Sequence, residues 1–131
     1  MPRRALTVVV ALSAVGSLSA CGTRSIDVAK NDPTYRGAQL FAQRCSGCHT
    51  LDKAGTQGSA TKVRDRERVD GPNFNVRKEQ VDQVLYAIRN GGFSGAIMPQ
   101  NIVVGKQARE VAEFLAKYSG TQAKRPPTPN G

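Results

Sequence analysis

Five consecutive residues, Cys45-Ser46-Gly47-Cys48-His49, constrain this chain more than any other feature. Cys-x-x-Cys-His is the attachment pattern of c-type haem. Each thiol adds across one haem vinyl group to give a thioether, and the two-residue spacer sets the sulfurs near the separation of the vinyls. The histidine that follows is carried under the ring, where an imidazole nitrogen binds iron. His49 is the only histidine in the 131 residues. Two other uses share part of the motif. A thioredoxin-like thiol pair expects a strand–helix setting in a βαβ chain, and this sequence shows neither. A structural zinc site takes four Cys or His ligands, whereas only Cys45, Cys48 and His49 converge. Haem attachment is the reading the motif favours.

The third cysteine belongs to the N-terminus. Met1-Pro2-Arg3-Arg4 is a basic start, Ala5 to Leu18 is apolar, and Leu18-Ser19-Ala20-Cys21-Gly22 has the small residues of a cleavage site. The apolar run is shorter than the ~20 residues of a membrane-spanning helix. Leu-Ser-Ala-Cys resembles the lipobox of bacterial lipoproteins. That resemblance implies cleavage before Cys21, which becomes the lipid-modified N-terminus. An ordinary secretory signal and an uncleaved anchor are the alternatives, and all three place the rest of the chain outside the cytoplasm. The residues around Arg3-Arg4 do not resemble a twin-arginine signal, so the general secretory route is expected. No cysteine is then left for a disulfide.

The expected organisation is a signal peptide at 1–20, a flexible tether at 21–31, a folded domain at 32–118 and a flexible tail at 119–131. The tail carries Lys124-Arg125-Pro126-Pro127 and Pro129. A domain this small is marginal on its own apolar surface, and a buried haem gives it a large apolar body to pack against. Aromatics make up only 5% of the chain and tryptophan is absent, as expected where a cofactor fills the centre. Three helices are predicted. The first starts at Asp32-Pro33, an N-cap followed by proline, and runs through Arg44. The second spans about 78–90, with Val81, Val84, Leu85 and Ile88 on one face, and Asn90-Gly91-Gly92 stops it. The third spans about 105–118, with Ala108, Val111, Ala112 and Leu115 on one face. No segment shows strand alternation, and the expected class is all-α.

The layout resembles class I cytochrome c, and in particular the small lipoprotein cytochromes of bacterial membranes. The resemblance covers about residues 32–118 and implies a small cytochrome c fold, three main helices around one covalently attached haem c. In that family the first and last helices cross with a glycine and an aromatic on the first. Gly37 and Phe41 match that pair, and Leu115 and Tyr118 match the facing residues. A methionine followed by proline in the loop before the last helix is the second axial iron ligand, which corresponds to Met98 in Gly95-Ala96-Ile97-Met98-Pro99. Gly71-Pro72-Asn73-Phe74 resembles the family's Gly-Pro segment, so the Pro72 carbonyl is expected to accept a hydrogen bond from His49 and orient it. The insert at 53–70 is longer than in the shortest members. It reads as a solvated surface loop, the sharper alternative being a docking or propionate-contacting element; Gly55, Gly58 and Ser59 do not suggest a folded unit.

With both axial positions filled, the resemblance implies an electron-transfer protein and not an enzyme. Iron would cycle between Fe(II) and Fe(III), with electrons crossing at the haem edge near the thioethers. The implied partners are a quinol-oxidising complex upstream and a haem-copper oxidase downstream, reached by a monomer held at the membrane by its lipid. A fixed subunit of an oxidase or dehydrogenase complex, or a haem-based sensor or enzyme with an open iron site, are the rivals. The chain has 19 basic and 10 acidic residues, a net charge of +9; loss of Arg3 and Arg4 leaves +7 before the haem propionates. Such a surface suits an acidic patch on a redox partner or anionic lipid headgroups. Export and the dispersal of the basic residues argue against nucleic acid.

Overall fold

The computed structural model of the chain describes residues 24–93 and 95–123. The predicted signal peptide, Cys21 and the end of the tail lie outside the described residues. Three helices carry the domain: α1 (Tyr35–Arg44), α2 (Val81–Asn90) and α3 (Gly105–Tyr118). The expected all-α class holds, with one addition. A two-residue antiparallel ladder, β1 (Thr50–Leu51) with β2 (Thr56–Gln57), follows the Cys-x-x-Cys-His turn. No helix of the described residues is long and apolar enough to cross a membrane.

Helix α3 packs against both α1 and α2, and its composition follows from that position. The predicted stripe of Ala108, Val111, Ala112 and Leu115 is buried, and so is Phe114, completely. Phe114 lies beside the predicted stripe because a helix with two neighbours needs a wider apolar face than a helix with one. On α1 the buried residues are Gly37, Ala38, Leu40 and Phe41. A Cβ on Gly37 would stand 2.1 Å from the Glu110 carbonyl oxygen and 2.7 Å from Phe114 Cβ. The glycine therefore allows α1 and α3 to touch through their backbones. The residues nearest Gly37 are Glu110 and Phe114, and the predicted Leu115 and Tyr118 belong to the same packed core. Phe41 meets Phe114 with ring centroids 6.0 Å apart.

Helix α1 starts later than predicted. Asp32 does not cap it: its Oδ1 accepts from the Thr34 amide at 2.8 Å and the Thr34 hydroxyl at 2.7 Å, closing a turn before the helix. Its Oδ2 accepts from Lys117 Nζ at 2.7 Å and Tyr118 Oη at 2.6 Å, tying the start of α1 to the end of α3. Helix α2 also starts late, at Val81, under a reciprocal cap between Gln80 and Gln83. The two residues before the cap are committed elsewhere: Lys78 Nζ donates to the Ala116 carbonyl, and the Glu79 amide donates to Ser119 Oγ at 2.9 Å.

Two carboxyls give the fold opposite responses to acid. Hydrogen bonds from Lys117, Tyr118 and Thr34 hold the Asp32 carboxyl far below its ordinary value of 3.8. Its stabilisation is present above that value and lost as pH falls from there through the folded value. Burial raises Glu79 above its ordinary 4.5, partly opposed by Arg77, whose Nε lies 2.6 Å from Glu79 Oε1. Stability linked to Glu79 is therefore full below its ordinary value and declines as pH rises through its folded one. In thermal melts of the haem-loaded protein against pH, Asp32→Asn flattens the acid-side loss. Glu79→Gln instead removes the decline that accompanies ionisation.

The domain extends past both predicted ends. From Arg24 the stretch read as a tether lies against the domain, with Ile26 and Val28 packed on the core and the Asp27 amide bonded to the Lys53 carbonyl at 3.0 Å. At the other end Gly120 N donates to the Phe74 carbonyl at 2.8 Å and Gln122 N to the Asn75 carbonyl at 2.7 Å. Short polar segments carry no apolar periodicity, which is why sequence pattern assigned both to linkers.

Candidate haem-attachment site

The site begins as a continuation of α1. Cys45 N donates to the Phe41 carbonyl at 2.8 Å, and Cys48 N and His49 N both reach back to the Cys45 carbonyl, at 3.3 Å and 3.0 Å. This turn sets Cys45 half-buried against the core and Cys48 exposed. Burial, with Cys48 adding to it, pushes the Cys45 thiol up to about 12. Its thiolate, the reactive form, is then scarce at neutral pH.

His49 is held from three sides. Its Nδ1 lies 3.1 Å from the Pro72 carbonyl oxygen. A carbonyl only accepts, so Nδ1 carries the proton and Nε2 keeps its lone pair. The ring stacks on Phe74 with centroids 4.8 Å apart at 16°, and Phe41 is tilted towards it at 6.2 Å. Below the ring is Gly71, where a Cβ would stand 2.4 Å from His49 Cε1. Burial lowers the imidazole's proton affinity, and positive Arg77 adds to this against the opposing Pro72 bond. The imidazole is thus neutral at neutral pH, the form that binds metal. The segment that does this is laid along the motif by Gly71 N to the Cys48 carbonyl and Phe74 N to the Thr50 carbonyl, both at 2.8 Å.

The expectation for the insert at 53–70 needs correction in its first half. Gly55 (φ +67°) turns β1 into β2. Gly58 N donates to the His49 carbonyl at 3.1 Å, and Ser59 exchanges two 3.0 Å bonds with the buried Thr50 hydroxyl. A Cβ on Gly58 would stand 2.1 Å from the Ser46 carbonyl oxygen and 2.7 Å from Cys48 N. The chain therefore crosses the haem motif where only glycine fits. Gly58→Ala forces the Cys45–His49 turn to move, and the expected result is a several-fold lower yield of covalently attached haem, read from haem-stained gels at equal polypeptide. The second half behaves as expected: Lys62 and residues 64–69 are exposed. Asp70 Oδ2 closes its neck, accepting from the amides of Ala60 at 3.2 Å and Glu67 at 2.9 Å.

Met98 sits on a different loop, half-buried and packed against the core. The loop folds back on the end of α2. Asn101 N donates to the Ile88 carbonyl at 2.7 Å, and a Cβ on Gly91 (φ +73°) would stand 2.6 Å from the Met98 carbonyl oxygen. The structure thus brings together Cys45, Cys48, His49 and Pro72, and gives Met98 its own rigid support. Sequence reasoning missed Gly58 and Arg77, and it credited the Gly71–Phe74 segment with Pro72 alone. Gly71 and Phe74 stood in the quoted motif, but nothing in the string shows that they touch His49.

Two thiols and a carbonyl-oriented imidazole at the end of the first of three packed helices define a small covalent haem protein. The family model described as Cytochrome c matches residues 35–119, well over half of the chain, and the chain belongs to the cytochrome c family. It is accordingly a haem c electron-transfer protein, of a family whose members are generally electron carriers and not enzymes. Comparison with the curated proteins gives no match.

Proposed function

We propose that the chain is a class I, single-haem carrier: Cys45 and Cys48 hold the haem, His49 and Met98 bind its iron, and Pro72 orients His49. The observation that carries this is the His49 Nδ1 to Pro72 contact of 3.1 Å, which leaves Nε2 as the free donor. The donor set fits the group: two thiols, one neutral imidazole in a cradle that a Gly71 side chain would fill, and one half-buried thioether. When bound, the haem supplies a one-electron Fe(II)/Fe(III) couple whose potential a His/Met pair raises. The chain's own residues do the rest. Pro72 fixes the imidazole and strengthens it as a donor. Phe41 and Phe74 keep water from its ring, and the backbone bonds at the end of α2 hold the Met98 loop in one place.

In this reading Cys21 carries the lipid and keeps the domain on the outer side of a bacterial membrane. The lipid raises the domain's effective concentration near a quinol-oxidising complex upstream and a haem-copper oxidase downstream in a respiratory chain. The test is the optical spectrum of the exported, membrane-extracted protein in both redox states. A low-spin c-type spectrum with the weak far-red methionine–iron band is expected. A high-spin spectrum that shifts with carbon monoxide would replace the carrier with a ligand-binding haem protein.

A further inference from the structure

The stretch between the predicted lipid site and the first helix was expected to be a free tether. The structure has most of it docked. The Arg24 carbonyl lies over Gly55, so closely that a Cβ there would stand 2.2 Å from its oxygen. The Arg24 guanidinium lies 3.8 Å from Asp52, and Lys53 Nζ is bonded to Asp27 at 2.8 Å. Ile26 and Val28 pack on the core. Arg24 and Ile26 share a shallow hollow with Ala42, Gly55, Gln57 and Ser46, and Ser46 is the first residue between the two haem-motif cysteines. Chain enters the domain beside the attachment motif.

Resting on the reading of Cys21 as the lipidated residue, we infer that the anchor holds this motif-bearing face against the phospholipid surface. The acyl chains bury in the bilayer and leave Cys21 at the headgroups. Only Gly22 and Thr23 separate Cys21 from Arg24, a contour of at most about 10 Å. A free tether over 21–31 would reach roughly 35 Å and let any face of a domain about 30 Å wide turn to the membrane. The short leash does not. The two ion pairs on this face balance its charge, so covalent length orients the domain and salt-sensitive attraction does not. Redox partners that accept this orientation are membrane-embedded proteins with docking faces close to the headgroups.

The experiment uses the mature, haem-loaded protein in nanodiscs, reduced to the diamagnetic ferrous state, with a gadolinium-chelating lipid. Amide broadening is expected to peak at Arg24–Val28, Asp52–Gln57 and Ser46. Relaxation from a plane of such lipids falls with about the fourth power of distance, so across a domain about 30 Å wide the expected contrast with the weakest face is on the order of a hundredfold. The peak should survive added salt. A Gly/Ser spacer of about 12 residues between Gly22 and Thr23 should level it. The mass of the N-terminal peptide is read on the same sample. Even broadening, a peak elsewhere or a peak erased by salt, in a lipidated sample, overturns the leash and leaves the anchor standing. A peptide without lipid overturns both.

Discussion

With His49 and Met98 as the proposed iron ligands, Met98→Ala is expected to lower the reduction potential by on the order of 0.1 V, a modest share of the range that axial ligands control, and to remove the far-red band. The thioether is a soft ligand that favours ferrous iron, and without it water or an added ligand takes the position. The fold is expected to persist. The loop is held by the Asn101 to Ile88 bond and by close packing of the Met98 carbonyl on Gly91, neither of which uses the side chain. Redox titration and carbon monoxide binding check both halves. The variant should bind carbon monoxide in the ferrous state and melt near the parent. Retention of the far-red band would exclude Met98 as the ligand that produces it.

Gly37→Val is the substitution expected to damage the fold most. The added Cβ meets the Glu110 carbonyl at 2.1 Å and Phe114 Cβ at 2.7 Å. A carbonyl inside a helix has no rotamer to escape into, so α1 and α3 must separate, and Phe41 and Phe114 lose their contact. Overpacking of this kind costs on the order of 3 kcal/mol, or roughly 15 °C in the melting temperature of a domain this size. Alanine at the same position should cost less, because its helix propensity is about 1 kcal/mol better than glycine's. Thermal unfolding of the holo-protein, followed by circular dichroism, gives both values. Equal melting of parent and Gly37→Val would mean the helices do not touch there.

Much of the candidate site was legible because its proposed chemistry is written as adjacent letters. Cys45, Cys48 and His49 lie within one turn, and the cytochrome c resemblance supplied Met98-Pro99 and Gly71-Pro72. The three helices showed in their apolar spacing, and α3 begins and ends where expected. What stayed hidden depends on partners far along the chain. Asp32 looked like a cap, yet its second oxygen answers to Lys117 and Tyr118. Lys78 and Glu79 looked helical until the end of α3 claimed them. Gly58 looked like loop filler, although it is the crossing point over the motif. Phe114 fell outside a stripe drawn for one neighbour, whereas α3 has two.

The Asp70 carboxylate that ties off the exposed half of the insert makes that loop a natural splice point. Its two amide bonds, to Ala60 and Glu67, fasten the chain on both sides of the stretch from 61 to 66. Thr61 and Arg66, at the two ends of that stretch, share a hollow with Gly71 and Pro72 beside His49, so the graft belongs at the tip between them. Loop-closure entropy rises only slowly with length, so a foreign peptide grafted there should add a recognition tag to the carrier and leave the spectrum of its haem unchanged.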